Sequence, residues 1–403
     1  MKVNRNSVTF FLILFMVIVA GFNTRANLLF FTGYLLTGIF ILSFIFSIRN
    51  ISNLRVSRKI EKVTFQNEIV RVDLELYSDS PASFVKVRDQ FTPASGDERI
   101  KDLFIYNLDK SRVRLSYEEK AVMRGRFKIG PVEAESDFPF LLFTRRRVLE
   151  EYSEILVYPE VTDMKGFPAY EQIITASVNK IITTIGGSNE FFGIRDYQTG
   201  DSMRSIDWKV SARMNQLVVK EFEKQLGYST YLLFDVKREE NSRERFNICF
   251  EKSVNIAASV LKNRIDNNDN VGFIWGDRYI LPASGKEQLF QILNELALVN
   301  MVETDILEKS YINAVNIAEP ENILIIISRN INARYLEFIK LLIAKKIRVI
   351  FIYLVPESFS GKLDKDPLSP EIHLRFKEIL LTGATLYPYY KDDLISEIFN
   401  KGN

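Results

Sequence analysis

Polar side chains that could carry out chemistry are concentrated in one part of this sequence, residues 186–223. Carboxylates and guanidinium groups at such close spacing can bind anions, exchange protons or form bidentate ion pairs with one another. We therefore expect these residues, the signature stretch, to form either a polar site or a charged contact surface. Its candidate residues are Glu190, Arg195, Asp196, Tyr197, Asp201, Arg204, Asp207, Trp208 and Arg213.

The charges of the signature stretch balance one another. Arginine and lysine are matched in number by aspartate and glutamate across residues 186–224, whereas a phosphate or nucleic-acid site normally has surplus positive charge. The balance favours internal Arg–carboxylate pairing, which would fix a polar joint between two domains. A partner-docking surface, or an uncharacterised catalytic centre that uses Asp201, Asp207 or Asp235, remains an alternative.

Composition excludes several other kinds of site. Cys249 is the one cysteine and His373 the one histidine, so disulfide frameworks, cysteine zinc sites and two-histidine zinc protease motifs are excluded. Residues 186–189 lack the lysine of a phosphate-binding loop. Gly200-Asp201-Ser202 begins like an esterase signature, but Pro370 replaces the acid expected before His373. We predict no cofactor, no small-molecule substrate and no enzymatic activity.

The overall charge gives no reason to expect a nucleic-acid partner. Lysine and arginine total 53 against 51 aspartates and glutamates, for a net charge of +2. Nucleic-acid-binding domains are typically far more basic.

The N-terminal residues 1–50 predict two transmembrane helices. No charge lies between Arg5 and Arg25, and a second uncharged stretch runs from residue 26 to residue 48. At 1.5 Å per residue the second stretch can span a hydrocarbon core of about 30 Å. In lipid, such segments must be helical to satisfy their own backbone. The turn at residues 23–27 makes the pair a helical hairpin.

Basic flanks predict which side of the membrane the rest of the chain occupies. Lys2 and Arg5 precede the first helix, and Arg49 and Arg55 follow the second, whereas the turn holds only Arg25. The positive-inside rule then puts both ends in the cytoplasm, with the hairpin in the cytoplasmic membrane. The alternative is a cleaved signal peptide followed by a single anchor, which would leave the second basic flank outside.

Residues 55–160 predict a β-sandwich of the immunoglobulin-like kind. Hydrophobic and polar residues alternate over residues 70–76, and further short strands are expected at 84–87, 103–108, 113–117, 124–129 and 155–158. The basic run at residues 145–147 could contact anionic lipid, although charge runs are more often solvated loops.

Residues 227–403 predict a doubly wound α/β domain, and residues 161–226 connect it to the sandwich. Apolar strands at 231–235, 271–275, 323–327, 349–355 and 385–389 alternate with helical periodicity at 250–265, 286–299, 333–344 and 370–381. Such alternation is typical of a parallel sheet covered on both faces. Ligands of these sheets bind beyond the carboxyl ends of the strands, where Asp235 is expected.

Asp235 stands where a von Willebrand factor A domain begins its metal-ion-dependent adhesion site. That site needs Asp-x-Ser-x-Ser, with a threonine and a second aspartate from other loops. Here Lys237 and Glu239 replace the two serines, and Arg329 stands in place of the last aspartate. Because cations repel a metal ion, we predict a degenerate site at Asp235 that binds no metal. A metal-dependent adhesion domain is the weaker alternative.

The signature stretch also resembles that of the bacterial family called domain of unknown function 58. The resemblance is carried by Glu190-Phe191, Gly193, Arg195, Tyr197, Gly200-Asp201, Arg204, Ile206, Trp208 and Ser211-Ala212-Arg213. An upstream segment, Arg124 to Pro131, also looks familial, whereas Phe138 and Leu141 depart from the usual Asp-Pro-Phe-Gly turn.

The resemblance implies a membrane-anchored protein with a von Willebrand A-like end. It also implies a protein partner, an AAA+ ATPase of the MoxR type, and work with that ATPase in protein assembly, maturation or envelope stress. No enzymatic activity is established for the family. We therefore expect a membrane-anchored interaction or scaffold protein that faces the cytoplasm.

Overall fold

Two compact units make up the protein. The first comprises Met1–Glu160 with Leu293–Val299, and the second comprises Val161–Ile292 with Asn300–Asn403. The computed structural model describes residues 2–93, 99–109, 112–164, 191–196, 208–214, 216–222, 229–238, 243–302, 307–360 and 368–401. The boundaries expected for the four segments of the chain stay predictions.

The chain begins with two long apolar helices, as the sequence predicted. Helix α1 spans Arg5–Thr24 and helix α2 spans Asn27–Asn50, with 20 and 24 residues. Arg25 ends α1 in the left-handed conformation (φ 52°), and its amide donates to the carbonyl of Gly21. That conformation reverses the chain within two residues, so α1 and α2 pack side by side. Both helices are long and apolar enough to cross a membrane.

The first unit contains two β-sheets built from short strands. They are β1 Lys2–Val3, β2 Leu54–Lys59, β3 Val63–Phe65, β4 Ile69–Ser78, β5 Ala82–Pro93, β6 Arg99–Leu108, β7 Arg112–Lys120, β8 Gly125–Ser136, β9 Phe143–Leu149 and β10 Ser153–Tyr158. One sheet has the order β2-β4-β7. The other has the order β1-β9-β8-β10-β3, with β5 joining β8 to β6.

The two sheets share one hydrophobic core. The alternation in β4 buries Val70, Val72, Leu74 and Leu76, and the intervening residues face outward. The opposite sheet contributes residues such as Ile129, all within the same cluster. Burying each of these side chains is worth about 1.5–3 kcal/mol, so the period-2 pattern stabilises the pair of sheets.

The basic run at residues 145–147 was expected as a solvated loop, and that expectation was wrong. These arginines lie on strand β9, which pairs antiparallel with β8. The register sets Arg146 opposite Glu135 and Arg145 opposite Ser136. Arg146 forms an ion pair with Glu133 of β8, whereas Arg145 and Arg147 donate to main-chain carbonyls at the end of α2.

The second unit contains a six-stranded sheet covered by helices. Its strands are β13 Ser229–Phe234, β14 Asn270–Trp275, β15 Arg278–Ala283, β16 Ile323–Ser328, β17 Arg348–Leu354 and β18 Thr385–Tyr389. Its helices are α4 Arg243–Asp266, α6 Leu307–Ile317, α7 Ala333–Ala344 and α8 Pro370–Leu381, together with the first half of α5 Lys286–Leu298, whose residues from Leu293 onward belong to the first unit. The order is β15-β14-β13-β16-β17-β18, with only β15 antiparallel.

That order reverses direction between β13 and β16, as in doubly wound sheets. Strand β16 is buried at all six positions, which explains its unbroken apolar sequence. Helix α6 is the element that sequence reasoning missed. Its apolar positions, Leu307 and Ala314 among them, pack into the same core as Leu324 and Phe351.

Three described elements come from the signature stretch. Strand β11 (Phe191–Asp196) pairs antiparallel with β12 (Val218–Phe222), and the short helix α3 (Trp208–Met214) precedes β12. The Ser211 hydroxyl accepts a hydrogen bond of 3.0 Å from the amide of Val218 and so ties α3 to β12.

Candidate functional site

The carboxyl edge of the six-stranded sheet brings Asp235 and Ser328 together. Strands β13 and β16 are parallel neighbours, with Phe234 opposite Ile327, so the chain leaves both strands at the same edge. This edge is the switch point of the strand order, where doubly wound sheets bind their ligands. The location that the sequence predicted for Asp235 is therefore the location observed.

Asp235 is a buried carboxylate whose oxygens are held by three donors. Oδ2 accepts hydrogen bonds from the Ser328 hydroxyl at 2.7 Å and from the Tyr335 hydroxyl at 2.8 Å. Oδ1 accepts from the amide of Lys237 at 2.9 Å. Asp235 is only 3% exposed, so these bonds replace the hydration that burial removes.

Arg329 fills the space beside that carboxylate. Its Nη2 donates to the main-chain carbonyl oxygens of Asp235 at 2.9 Å and Lys237 at 3.0 Å, and its Nη1 donates to the Ser253 hydroxyl at 3.2 Å. The guanidinium lies 4.7 Å from the centre of the Phe250 ring, within the range of a cation–π contact. Arg329 is 3% exposed, so the cation is part of the core.

The oxygen atoms at this edge bind the guanidinium of Arg329 and leave no place for a metal ion. Backbone carbonyl oxygens and a carboxylate are hard ligands of the kind that Mg²⁺ and Ca²⁺ prefer. Arg329 already takes two of those carbonyls, while Ser328 and Tyr335 occupy a carboxylate oxygen of Asp235. A divalent ion would have to displace a buried guanidinium, which costs several kcal/mol.

Burial also raises the pKa of Tyr335 well above its ordinary value, and the negative charge of Asp235 adds to the effect. The phenol therefore stays a hydrogen-bond donor at neutral pH and holds the carboxylate. Within the described residues, no group of three or more His, Cys, Asp or Glu side chains is placed to bind a metal. The absence of a metal in solution stays a prediction.

Most of the signature residues lie outside the part of the chain that the structure describes. Arg195 and Asp196 are on strand β11, for which only the backbone is described, and Trp208 and Arg213 are exposed on helix α3. Trp208 is 61% exposed, so it is not filling a core within its own unit. The residues outside the described ranges are Glu190, Tyr197, Asp201, Arg204 and Asp207. The joint, the docking surface and the catalytic centre stay predictions for this stretch.

Sequence reasoning missed Tyr335 and Ser253 as members of the Asp235 cluster. Tyr335 lies in the first turn of α7, whose N-cap Asn332 accepts a hydrogen bond from the Tyr335 amide. One signal in the sequence could have indicated Tyr335. The helix that contains it begins only a few residues after β16 ends, so its first turn must lie at the same edge of the sheet. Ser253 lies one turn of α4 beyond Cys249, on a face that the helical periodicity had marked as buried.

A groove of about 540 Å³ lies between helices α6 and α7 of the second unit. Its apolar walls include Tyr311 and Phe338, whose rings stack at 3.9 Å. Ile312 is 54% exposed and Leu341 47% exposed, so apolar surface continues out of the groove. Its charged lining residues are Glu308, Arg334 and Glu337.

The comparison with known families supports the resemblance seen in the sequence. A family model described as "Protein of unknown function DUF58" matches residues 193–357, which run from the signature stretch to just beyond β17. A relative from Bacillus subtilis (strain 168), "Uncharacterized protein YeaD", is 28% identical over 210 residues, 49% of this chain and 48% of the relative. The chain thus spans about half the length of that curated relative. Both findings support assignment to this family of uncharacterised function.

The resemblance of the chain to solved structures is weak. The CARDB domain of the PF1109 protein from Pyrococcus furiosus covers 26% of this chain and 92% of its own, at 15% identity and a TM-score of 0.20. A β-glucosidase from Listeria innocua covers 26% of this chain and 16% of its own, at 12% identity and a TM-score of 0.19. Likenesses at this level carry no argument about fold or function.

Proposed function

We propose that this protein is a membrane-anchored interaction protein whose α/β unit binds a protein partner in the cytoplasm. The observation that carries the proposal is the filled carboxyl edge of the six-stranded sheet. Arg329 and Tyr335 occupy the place where a doubly wound sheet would receive a metal or small ligand. A sheet with that position closed can still present helices to another protein.

The finer fold assignments belong to the same proposal. The strand order β15-β14-β13-β16-β17-β18 supports a von Willebrand A-like second unit, with a closed adhesion site at Asp235. Two sheets of short, mainly antiparallel strands around one core support an immunoglobulin-like first unit.

The anchor is the helical hairpin, with both of its ends on the cytoplasmic side of the membrane. Support comes from Arg49 in the last turn of α2, and from Lys2 and Arg5 before and at the start of α1. Protease added outside intact cells is expected to leave the C-terminal region whole. Removal of that region from outside would contradict the orientation.

The partner that the family resemblance implies is an AAA+ ATPase of the MoxR type. The groove between α6 and α7 is the surface that we assign to it, because it combines an apolar floor with a charged rim. Interfaces with this composition bury an apolar centre and surround it with polar contacts. Ile312 and Leu341 are exposed at helix positions that would become buried on docking.

Affinity purification of the full chain from membranes tests this partnership. An AAA+ ATPase identified by its peptides should co-elute, and the amount recovered should change with nucleotide. Ile312→Asp should reduce the recovery several-fold, because a charge in an apolar interface costs binding energy. Leu374→Asp is the matched control, since Leu374 is 57% exposed on α8 and does not line the groove.

Equal recovery with Ile312→Asp and with the wild type would remove the groove from the proposal. A folded chain that never recovers an AAA+ ATPase under any nucleotide condition would remove the partner. Circular dichroism of each variant shows whether a loss of binding is a loss of fold.

A further inference from the structure

The first unit carries an exposed apolar patch beside its two long helices. The patch comprises Phe84, Tyr106, Phe138, Phe140 and Leu141. Tyr106 is 77% exposed, Phe84 57%, Phe140 52% and Leu141 51%. Soluble proteins rarely leave aromatic side chains together in water, so a patch of this kind marks a contact surface.

Ring contacts make the patch continuous with helix α2. Phe138 stacks on Phe84 at 5.9 Å and meets the Phe46 ring of α2 edge to face at 6.5 Å. Phe84 contacts Tyr106 at 6.2 Å. The apolar surface of the helix therefore passes onto the sheet without a polar break at these residues.

The turn at residues 137–142, which joins β8 to β9, is fixed to the hairpin by hydrogen bonds. The Asn4 side chain donates to the carbonyl of Leu141 at 3.1 Å, and the Ser7 hydroxyl donates to the carbonyl of Leu142. From α2, the Ser47 hydroxyl donates to the carbonyl of Phe143 at 3.3 Å. Both helices thus hold the turn at a defined level along their length.

That level lies inside the apolar part of α2. The Phe143 ring contacts Phe44 at 5.5 Å and Phe40 at 5.2 Å. At 1.5 Å per residue, these positions are roughly 6 and 12 Å inward from Ile48, the last apolar residue before the basic flank. The headgroup layer on each side of a bilayer is only about 5–8 Å thick. A bilayer that surrounds α2 therefore reaches the side chain of Phe143, the residue that directly follows the turn.

Two further observations point to lipid. Arg145 and Arg147 donate to main-chain carbonyls at the end of α2, those of Ile48 at 2.6 Å and Ile51 at 3.1 Å, which puts cations at headgroup level. Phe84 and Leu141 have φ angles of 49° and 58°, a left-handed backbone that apolar side chains rarely adopt. Such strain is concentrated where a side chain must be presented at a functional surface.

We infer that the apolar patch is a third membrane contact, in which the 137–142 turn and its aromatic neighbours insert into the lipid interface beside the hairpin. The occupant is the bilayer that the helices cross, and aromatic rings are well suited to its interfacial layer. The inference rests on the proposed membrane anchoring. It adds that the first unit lies against the membrane surface and is not held away from it by a linker.

The test uses the full chain in vesicles of phosphatidylcholine and phosphatidylglycerol. Cys249→Ala removes the buried cysteine, and a single new cysteine is labelled with an environment-sensitive fluorophore. Phe140→Cys probes the patch and Leu35→Cys probes the exposed face of α2. Ile69→Cys is the control, since Ile69 is 66% exposed. It lies at one end of β4, whereas Ser78, at the other end, pairs with Leu54, which follows α2 closely in the chain. The two ends of β4 are about 30 Å apart.

Nitroxide-labelled lipids should quench the label at residue 140 about as strongly as the label at residue 35. Aqueous iodide should quench mainly the label at residue 69. Quenching at residue 140 that matches residue 69 would overturn the inference and leave the anchor intact. A label at residue 35 that lipid nitroxides do not reach would overturn the anchor itself, and the inference with it.

Shielding of residue 140 from both quenchers would also overturn the inference, because it would mean that protein covers the patch. Tyr106→Cys is a second probe of the same surface in case the label at residue 140 disturbs the turn. Unchanged circular dichroism and melting temperature of each labelled chain show that the quenching reports on a folded protein.

Discussion

Arg329 donates a hydrogen bond of 2.9 Å to the main-chain carbonyl of Asp235, so a buried cation closes the edge of the sheet. The carboxylate of the same aspartate is held separately, by Ser328 and Tyr335. The backbone and the side chain of Asp235 thus both help to fill this edge of the sheet. The backbone binds the guanidinium, and the side chain binds hydroxyls from β16 and α7.

Replacement of Arg329 by methionine should destabilise the second unit by about 3 kcal/mol. The substitution leaves the carbonyls of Asp235 and Lys237 without a donor, and a buried acceptor without a partner is costly. Thermal melting of the detergent-solubilised chain measures the effect. Arg278→Met is the control, because Arg278 is exposed on β15 and its loss should stay within about 0.5 kcal/mol. Equal melting temperatures for the two variants would contradict the role of Arg329.

Divalent metal ions should not change the stability of the wild-type chain. Arg329 occupies the hard-oxygen cradle at Asp235, so Mg²⁺ or Mn²⁺ finds no open ligands there. Melting temperatures with metal and with a chelator should agree. Stoichiometric metal on the purified protein, lost after Asp235→Asn, would show that the site does accept an ion.

Cys249 should make the second unit less stable at alkaline pH. Its side chain is fully buried on α4, and burial raises the pKa of the thiol to about 12, against about 8.5 in an unfolded chain. Because the folded pKa is the higher one, the thiol's contribution is complete below about pH 8.5 and is lost as the pH rises towards 12. At about pH 10 the loss is about 2 kcal/mol.

The comparison of wild type with Cys249→Ala isolates this effect from other titrating groups. The difference in melting temperature between about pH 8 and about pH 10 should be smaller in the variant. A thiol reagent should also react with Cys249 only after denaturant is added. Rapid reaction in the native protein would show that α4 opens far more readily than its burial indicates.

Gly130 should tolerate alanine much less well than Gly285 does. Both glycines have positive φ angles, 104° and 91°. A Cβ at Gly130 would overlap the carbonyl oxygen of Glu151, whereas a Cβ at Gly285 meets nothing within 4 Å. Gly285→Ala should therefore cost about 1 kcal/mol for the backbone alone. Gly130→Ala should cost several kcal/mol more, measured as the fall in melting temperature. Similar losses for both variants would show that Glu151 moves away freely.

The sequence predicted the second unit better than the first for a physical reason. Strands buried on both faces are continuous apolar runs, so β16, β18 and the helices α7 and α8 were predicted within a residue or so. Strand β9 was hidden because its arginines find their partners only in the folded chain: Arg146 pairs with a carboxylate of β8, and Arg145 and Arg147 donate to main-chain carbonyls at the end of α2. The sequence predicted only part of the closed site at Asp235. Arg329 was recognised because a cation replaces the expected aspartate. Tyr335 was not, because only the folded position of α7 brings it to Asp235.

Asp89 and Arg58 form the ion pair on which the core of the first unit should depend most. Arg58 Nη2 lies 2.5 Å from Asp89 Oδ1, the Tyr117 hydroxyl donates to Oδ2 at 2.9 Å, and both charged side chains are 0% exposed. Asp89→Ala should cost about 3–5 kcal/mol, because it leaves a buried guanidinium without its counter-ion. Glu75→Ala is the control: its partner Arg114 is 63% exposed, and the loss should stay below about 1 kcal/mol.

A double variant separates the contribution of the Asp89–Arg58 charge interaction from that of the volume that the two side chains fill. Asp89→Leu combined with Arg58→Met removes both charges and keeps apolar volume, so it should be more stable than Asp89→Leu alone. The recovery would be partial, since Arg58 also donates to the carbonyls of Ile129 and Glu151 at 3.1 Å. Melting temperatures of the wild type, of Asp89→Leu and Arg58→Met alone, and of the double variant measure it. If the double variant is as unstable as the sum of its parts, the two residues stabilise the core independently and the cost of Asp89→Ala has another origin.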